Sequence, residues 1–424
     1  MPSEETRGPK PRSLLFEHPA FGLFWCARGF SALSYQMQAV AAGWQLYALT
    51  HSTFQLGMLG LVQFLPMAFL TLPAGHVADR YDRRLVIAVS AGIQGAAMAV
   101  LAAGSWGHWL SPAGIFAAIG MIGAARAFER PAGQAIMPTL VPEPLVPKAI
   151  AWGSSGFQVA SIVGPAAGGL LYGLGAGVSY GAAALMEFAS VGFMLALRRK
   201  RNPRQGASAT LSSVFTGVHF IRRNPVILGS ISLDLFAVLL GGATALLPAF
   251  ARDILGIGAW GLGALRSAPA IGALAMSAIL ARRPLGRRVG RKMFAAVLVF
   301  GLATVVFGLS RSPALSFAAL FVLGAADIVS VVIRSSVVQL GTPNEMRGRV
   351  SAVNSLFIGT SNQLGEFESG ITASWFGTVM ATVAGGVGTL VVCLLWMRLF
   401  PELMEVDRLG IPGDADGSKA PGAS

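Results

Sequence analysis

Gly75-His76-Val77-Ala78-Asp79-Arg80-Tyr81-Asp82-Arg83-Arg84 stands between two long apolar runs, at about 54–74 and 85–103. Asp79, Arg80, Asp82, Arg83 and Arg84 are charged, so this stretch cannot lie in hydrocarbon. The flanking runs approach the ~20 residues that a helix needs to cross a bilayer. The stretch therefore reads as a short basic turn between two membrane helices. Gly75, with no side chain to obstruct a neighbour, is expected to end the first of them.

The whole chain fits that reading. Of its 424 residues, 54% are hydrophobic and 12% charged, against about 25% charged in a soluble domain. Mean hydropathy is +0.63. A net charge of +13 in a soluble chain would point to nucleic acid, but the placement of the charges excludes that partner. Arg7, Lys10 and Arg12, the turn above, Arg130, Lys148, the run 198–204, Arg222, Arg223, the cluster 282–292, Arg347, Arg349, Arg398, Arg408 and Lys419 all fall on one side of the predicted spans. The opposite loops hold only Arg252 and Arg311. Basic residues collect on the cytoplasmic face, so both termini are expected there. Cys26 and Cys393 both fall in apolar spans, which leaves no disulfide framework and no metal cluster. The first run is too long for a cleaved signal and is expected to stay as a helix.

Apolar spans follow at about 20–49, 54–74, 85–103, 112–137, 148–172, 177–197, 226–250, 257–281, 292–310, 313–340, 347–374 and 376–399. The prediction is an all-α integral membrane protein of twelve transmembrane helices in two six-helix lobes, 19–197 and 226–400. Between them, 198–225 is a cytoplasmic linker. Its second part places Leu211, Val214, Phe215, Val218 and Ile221 on one helical face, as in a helix lying on the membrane surface or in a short solvated turn of helix. Residues 1–18 and the Gly-, Pro- and Asp-rich 401–424 read as disordered cytoplasmic ends. The equal halves suggest an internal duplication. Gly286 to Lys292, G-R-R-V-G-R-K, falls where a copy of the opening turn belongs; it keeps the basic charge and lacks the aspartate.

Ionisable residues inside spans are costly and point to function. They are Arg28 in span 1; Arg126, Glu129 and Arg130 in span 4; Glu187 in span 6; Asp234 in span 7; Arg266 in span 8; Asp327 and Arg334 in span 10; and Glu366 and Glu368 in span 11. Arg126 and Glu129, three apart, are able to pair. Arg130 and Arg334 are expected to reach toward the inner interface. Asp234 and Glu366 have no opposite charge three or four residues away, so a partner must come from another helix or be a proton. A carboxyl group removed from water favours its neutral form. It can then take a proton from one side and release it to the other.

The pattern G-x-x-x-D-R-x-x-R-R in the opening stretch resembles the signature loop of the major facilitator superfamily, between helices 2 and 3. Gly164-Pro165-Ala166-Ala167-Gly168-Gly169 in span 5 resembles the motif of its antiporters; Ala160 and Ala151 stand where the longer pattern has glycine. The strings 127–142, 233–251, 326–343, 346–354 and 362–370 resemble the enterobactin-exporter-like and drug-efflux branch. The resemblance implies that Gly75, Asp79, Arg80, Arg83 and Arg84 latch the cytoplasmic side. It also implies that helices 1, 4, 7 and 10 line a central cavity. Arg28, Arg126, Glu129, Asp234, Asp327 and Glu366 would face substrate there, and Asp234, Glu366 and Asp327 would couple to protons. The usual helix 4 pattern R-x-x-Q-G here reads Arg126-Ala127-Phe128-Glu129-Arg130.

The function these residues imply is proton-coupled export of a small organic molecule, siderophore-like or drug-like, by a monomer in the bacterial inner membrane. Its partners would be the substrate, protons and lipid, with no cofactor. An importer or facilitator for a nutrient or metal complex fits the same fold. So does a receptor that transports nothing. An enzyme does not: there is no nucleotide loop, and His18, His51, His76, His108 and His219 are scattered.

Overall fold

The computed structural model describes residues 18–197, 211–283 and 285–407. The basic run of the linker and the outer parts of both expected disordered ends lie outside the described residues. Helix forms where the apolar runs predict it. The first half comprises α1 (Pro19–Thr50), α2 (Thr53–Arg80), α3 (Arg83–Trp106), α4 (Pro112–Ile136), α5 (Val146–Gly173) and α6 (Ala176–Ala196). After α7 (Leu211–Arg223) come α8 (Pro225–Leu240), the single turn α9 (Leu247–Ala249), α10 (Gly258–Arg282), α11 (Val289–Leu309), α12 (Pro313–Leu340), α13 (Asn344–Phe376), α14 (Thr378–Leu399) and the short α15 (Pro401–Glu405). No strand occurs among the described residues.

By length and composition, eight described segments are apolar enough to cross a membrane. The helices α1, α4, α5 and α13 are 25 to 33 residues long but fall outside that set. They hold Arg28, the Arg126–Arg130 group, the glycines of 164–169, and Glu366 with Glu368. All four are long enough to span; α1, α4 and α13 carry ionisable residues within their length, and α5 carries glycines.

Two boundaries differ from the sequence reading. α2 does not stop at Gly75 but runs on to Arg80; charged residues at a helix end are tolerated once the helix has left the hydrocarbon. Span 7 is broken. α8 ends at Leu240, Gly241 and Gly242 follow, and a π-helical turn covers Phe250–Ile254. Gly242 lies against α13, where a Cβ would be 2.6 Å from the Gly365 carbonyl oxygen. Pro248 removes one further backbone donor.

The chain groups into two compact units, and the grouping crosses the expected lobe boundary. The first is Met1–Ala39, Leu65–Gly164 and Leu174–Ser208. Its core is built on Phe21, Ile87, Ile136, Met194 and Leu197. Here α3 and α6 approach closely at Gly95, where a Cβ would stand 3.0 Å from the Phe188 ring. The basic turn is tied down within this unit. Asp82 caps α3, accepting from the Arg84 amide at 2.9 Å. Arg83 donates to the Ala135 carbonyl near the end of α4 at 3.0 Å. Arg84 donates to the Leu197 carbonyl at the end of α6 at 2.7 Å. The arginines thus satisfy carbonyls that helix ends leave without partners.

The second unit is Val40–Phe64, Pro165–Gly173 and Ala209–Ser424. Residues 40–64 and 165–173 join the second half because their helices cross it at glycine. A Cβ on Gly169 would meet the Ala259 carbonyl oxygen of α10 at 2.5 Å, and one on Gly263 would meet the Pro165 oxygen at 2.5 Å. Gly57 of α2 meets Gly370 of α13 in the same way, at 2.9 Å to Cα. Leu246, Phe250, Leu262, Phe307 and Leu320 form the core beneath. The helix α7 forms as its periodicity predicts, but Val218 and Ile221 pack on Ile227, Val338, Val350 and Val353, so protein rather than lipid covers that part of its face. Residues 401–407 are ordered, unlike the tail the composition led us to expect. Leu403 is buried, and the Asp407 carboxylate accepts from the Arg288 amide at 3.1 Å and from Arg287 Nε at 2.9 Å.

Gly169→Ala should lower stability by about 1–3 kcal/mol, the usual result of overpacking. Gly75→Ala should be neutral or raise it by up to ~1 kcal/mol through helix propensity, because no described atom lies within 4 Å of a Cβ there. Thermal unfolding of the two purified variants in detergent checks both.

Candidate functional site

In the first unit, four helices bring polar groups together. Arg28 of α1 forms an ion pair with Glu129 of α4. The two partners differ in exposure: the Arg28 side chain is 36% exposed and Glu129 only 2%. Gln94 of α3 donates to the other oxygen of Glu129 at 2.8 Å. Ser31, one turn after Arg28, lies 3.2 Å from Glu129 Oε1 and 3.2 Å from Glu187 Oε1 on α6. Arg126 does not take Glu129 as its direct partner, although the three-residue spacing allowed it; its guanidinium stacks on the Tyr35 ring, 3.8 Å from the centroid. Arg28, Arg126 and Glu129 are thus neighbours in the first unit.

In the second unit, Asp234 of α8 is paired with Arg334 of α12, and both side chains are buried. Arg334 does not reach for the interface; its counter-charge lies on another helix, which the spacing within α12 cannot reveal. Asp327, two turns from Arg334, lines the same small cavity as Asp234, together with Val297 and Phe300 of α11 and Ser330. Glu366 is elsewhere in this unit. A Cβ on Gly60 of α2 would stand 2.5 Å from its Oε2, and Arg266 of α10 is the cation whose field reaches it. Glu368 accepts from Thr372 at 2.8 Å within its own helix.

The motif residues occupy structural positions. Gly164 faces α1, where a Cβ would meet Gln36 Cβ at 2.5 Å. Pro165 and Gly169 make the α5–α10 crossing, and Gly168 is buried with them. In the turn, Asp79 is 3.9 Å from Arg83 one turn on, and Arg80 is exposed.

Ser31, Gln94 and Glu187 join this cluster, and none of them is among the sequence-predicted site residues. Glu187 carried the available signal, an ionisable residue in a span, but span 6 is not among the helices that the resemblance places around a cavity. A serine or a glutamine in an apolar helix carries no signal of its own. Across the two units the charge pattern repeats with its sign reversed. In the first, the cation is on α1 and the anion on α4. In the second, the anion is on α8 and the cation on α12.

Long apolar helices that cross at glycine and pair charges across their interiors define a multi-pass membrane protein. Comparison with known proteins gives its family. The transmembrane secretion effector model of the major facilitator superfamily matches residues 14–411. The chain belongs to that family, whose members are transporters. It is 28% identical over 397 residues to the enterobactin exporter EntS of Shigella boydii serotype 18 and to that of Escherichia coli, covering 92% of this chain and 94% of each relative. Among solved structures, the nucleoside transporter NupG superposes with a TM-score of 0.68 at 16% identity, over 90% of this chain and 99% of that one. A bacterial homologue of the lysosomal transporter Spinster, inward-facing and unoccupied, gives 0.69 at 13% identity, over 94% and 97%. These structures share the fold.

Arg334→Met should destabilise the protein by about 3–5 kcal/mol, because it leaves Asp234 buried without its counter-charge. The double variant Asp234→Asn/Arg334→Met should recover most of that loss. A double-mutant cycle by thermal unfolding reads the coupling.

Proposed function

We propose that this transporter exports a small organic molecule, siderophore-like or drug-like, across the bacterial inner membrane in exchange for protons, with both termini in the cytoplasm and as a monomer. The likeness to enterobactin exporters over nearly the whole chain supports export. The observation that carries the preference for an anionic solute is the Arg28–Glu129 pair, whose cation is part-exposed while its anion is sealed. An anionic or catecholate-like solute competes with Glu129 for Arg28. In exchange, proton and solute must not travel together: protons are carried inward while Glu129 holds Arg28, and the solute is carried outward while it does not. Asp234, Asp327 and Glu366 carry protons in the second half, where Arg334 and Arg266 play the opposing part. Alternating access moves these groups between the two sides. Each charge moved is worth ~2.3 kcal/mol per 100 mV, ample for concentrative export. Asp79 and Arg80, exposed at the end of α2, latch the cytoplasmic side with Arg83, Arg84 and Gly75 when access alternates.

In everted membrane vesicles, enterobactin serves as the probe. Glu366→Gln should abolish its pH-driven uptake while binding persists; normal uptake by that variant would reduce Glu366 to a packing residue. Arg28→Gln should weaken enterobactin uptake about tenfold, the equivalent of ~1.4 kcal/mol, and spare cationic dyes.

A further inference from the structure

Glu187 is a carboxyl group with no role so far. Its side chain is fully buried on α6. Its Oε2 is buried and accepts no hydrogen bond, and neither does Oε1 of the adjacent Gln94. The charged and titratable groups around it come from two elements, Arg28 of α1 and Arg126 and Glu129 of α4, with Ser31 of α1 and Gln94 of α3 as the neutral polar neighbours. Both arginines are engaged by others, Arg28 by Glu129 and Arg126 by the Tyr35 ring.

Counting hydrogens identifies the state of this group. Ser31 Oγ is 3.2 Å from Glu129 Oε1 and 3.2 Å from Glu187 Oε1. A hydroxyl carries one hydrogen, and an ionised carboxylate is an acceptor only. Ser31 cannot donate to both. If both glutamates were ionised, one of these contacts would set an oxygen lone pair against a carboxylate. A proton on one carboxyl removes the conflict: that carboxyl donates to Ser31, and Ser31 donates to the other. Glu129 already has Arg28 and the Gln94 amide as donors. Glu187 has neither, and its second oxygen is unpartnered in a site without water contact, where an ionised group is costly.

We propose that Glu187 holds a transported proton and that Ser31 relays it to Glu129. In the resting arrangement the Glu187 hydroxyl donates to Ser31 Oγ, and Ser31 donates to the Glu129 carboxylate. In the relay, Glu187 gives its proton to Ser31 Oγ as Ser31 gives its own to Glu129. One O–H bond breaks and one forms at the serine, which ends unchanged. Glu187 is left as the carboxylate and Glu129 as the neutral acid. The Arg28–Glu129 pair loses its anion, and the proton then lies beside Arg28, the part-exposed partner, on the side from which it can leave. The purpose of the step rests on the proton-exchange reading; the location of the proton does not.

Infrared spectroscopy of the full-length protein, reconstituted in liposomes at neutral pH, tests the location. The wild type should show the carbonyl stretch of a protonated, hydrogen-bonded carboxyl. Glu187→Gln should remove one component of the protonated-carboxyl absorption and leave those of the other buried carboxyls. Ser31→Ala should keep that component and shift it to higher frequency, as expected for a carboxyl that has lost its acceptor; this variant also serves if Glu187→Gln does not fold. Wild-type and Glu187→Gln proteins with the same protonated-carboxyl absorption, or a Glu187-dependent component that Ser31→Ala leaves in place, overturn the proposal. Enterobactin uptake by wild-type everted vesicles separates the two readings. Uptake indifferent to a pH gradient sinks proton exchange, and the infrared band still decides where the proton sits.

Discussion

A charge in hydrocarbon has to be neutralised by something on another helix, and that requirement organises this protein. Isolated arginines and carboxylates would each cost several kcal/mol within the membrane. Arg28 with Glu129, and Asp234 with Arg334, meet the requirement across helix boundaries. Such pairs are weak contributors to net stability but strong constraints on geometry, because separating either partner exposes the other. They also provide what exchange needs. A proton or a solute ion can replace one member of the pair, and the helices are then free to reach a different arrangement.

The reversal of sign between the halves follows from the same constraint. Charges of the same sign on α1 and α8 would repeat the same preference for ligand twice. With the cation on α1 in one half and the anion on α8 in the other, the two halves favour opposite partners. The part-exposed cation lies on α1 of the first and the buried anion on α8 of the second.

Much of this was legible in the residues. Apolar runs placed the helices to within a few positions, since only a long unbroken run satisfies a bilayer, and buried charges stood out against that background. What escaped had identifiable causes. Gly241 and Gly242 look like any small residues in an apolar run until Gly365 of α13 is seen against Gly242. Arg334 read as reaching for the interface because its partner is a hundred residues away on α8. Ser31 and Gln94 are unremarkable as letters; only the packing of α1, α3, α4 and α6 joins them to Glu129. Leu403 was read as part of a polar tail because the composition beyond it dominated the window. Each miss is a contact between segments distant in the chain, which local pattern does not encode.

The ordered stretch at 401–407 completes a symmetry that the letters leave broken. In the first half, Asp82 sits within the basic turn and closes the start of α3. The matching turn of the second half has arginines and no acid of its own, and Asp407 arrives from far along the chain to occupy that role at the start of α11. The amides of Val289 and Gly290 likewise find their acceptors on Asp407 and Val406. The basic turn before α11 is therefore closed by a distant part of the same polypeptide. The last helical stretch is a working part of the second bundle, and shortening the chain to the end of α14 would strip that bundle of its missing acid.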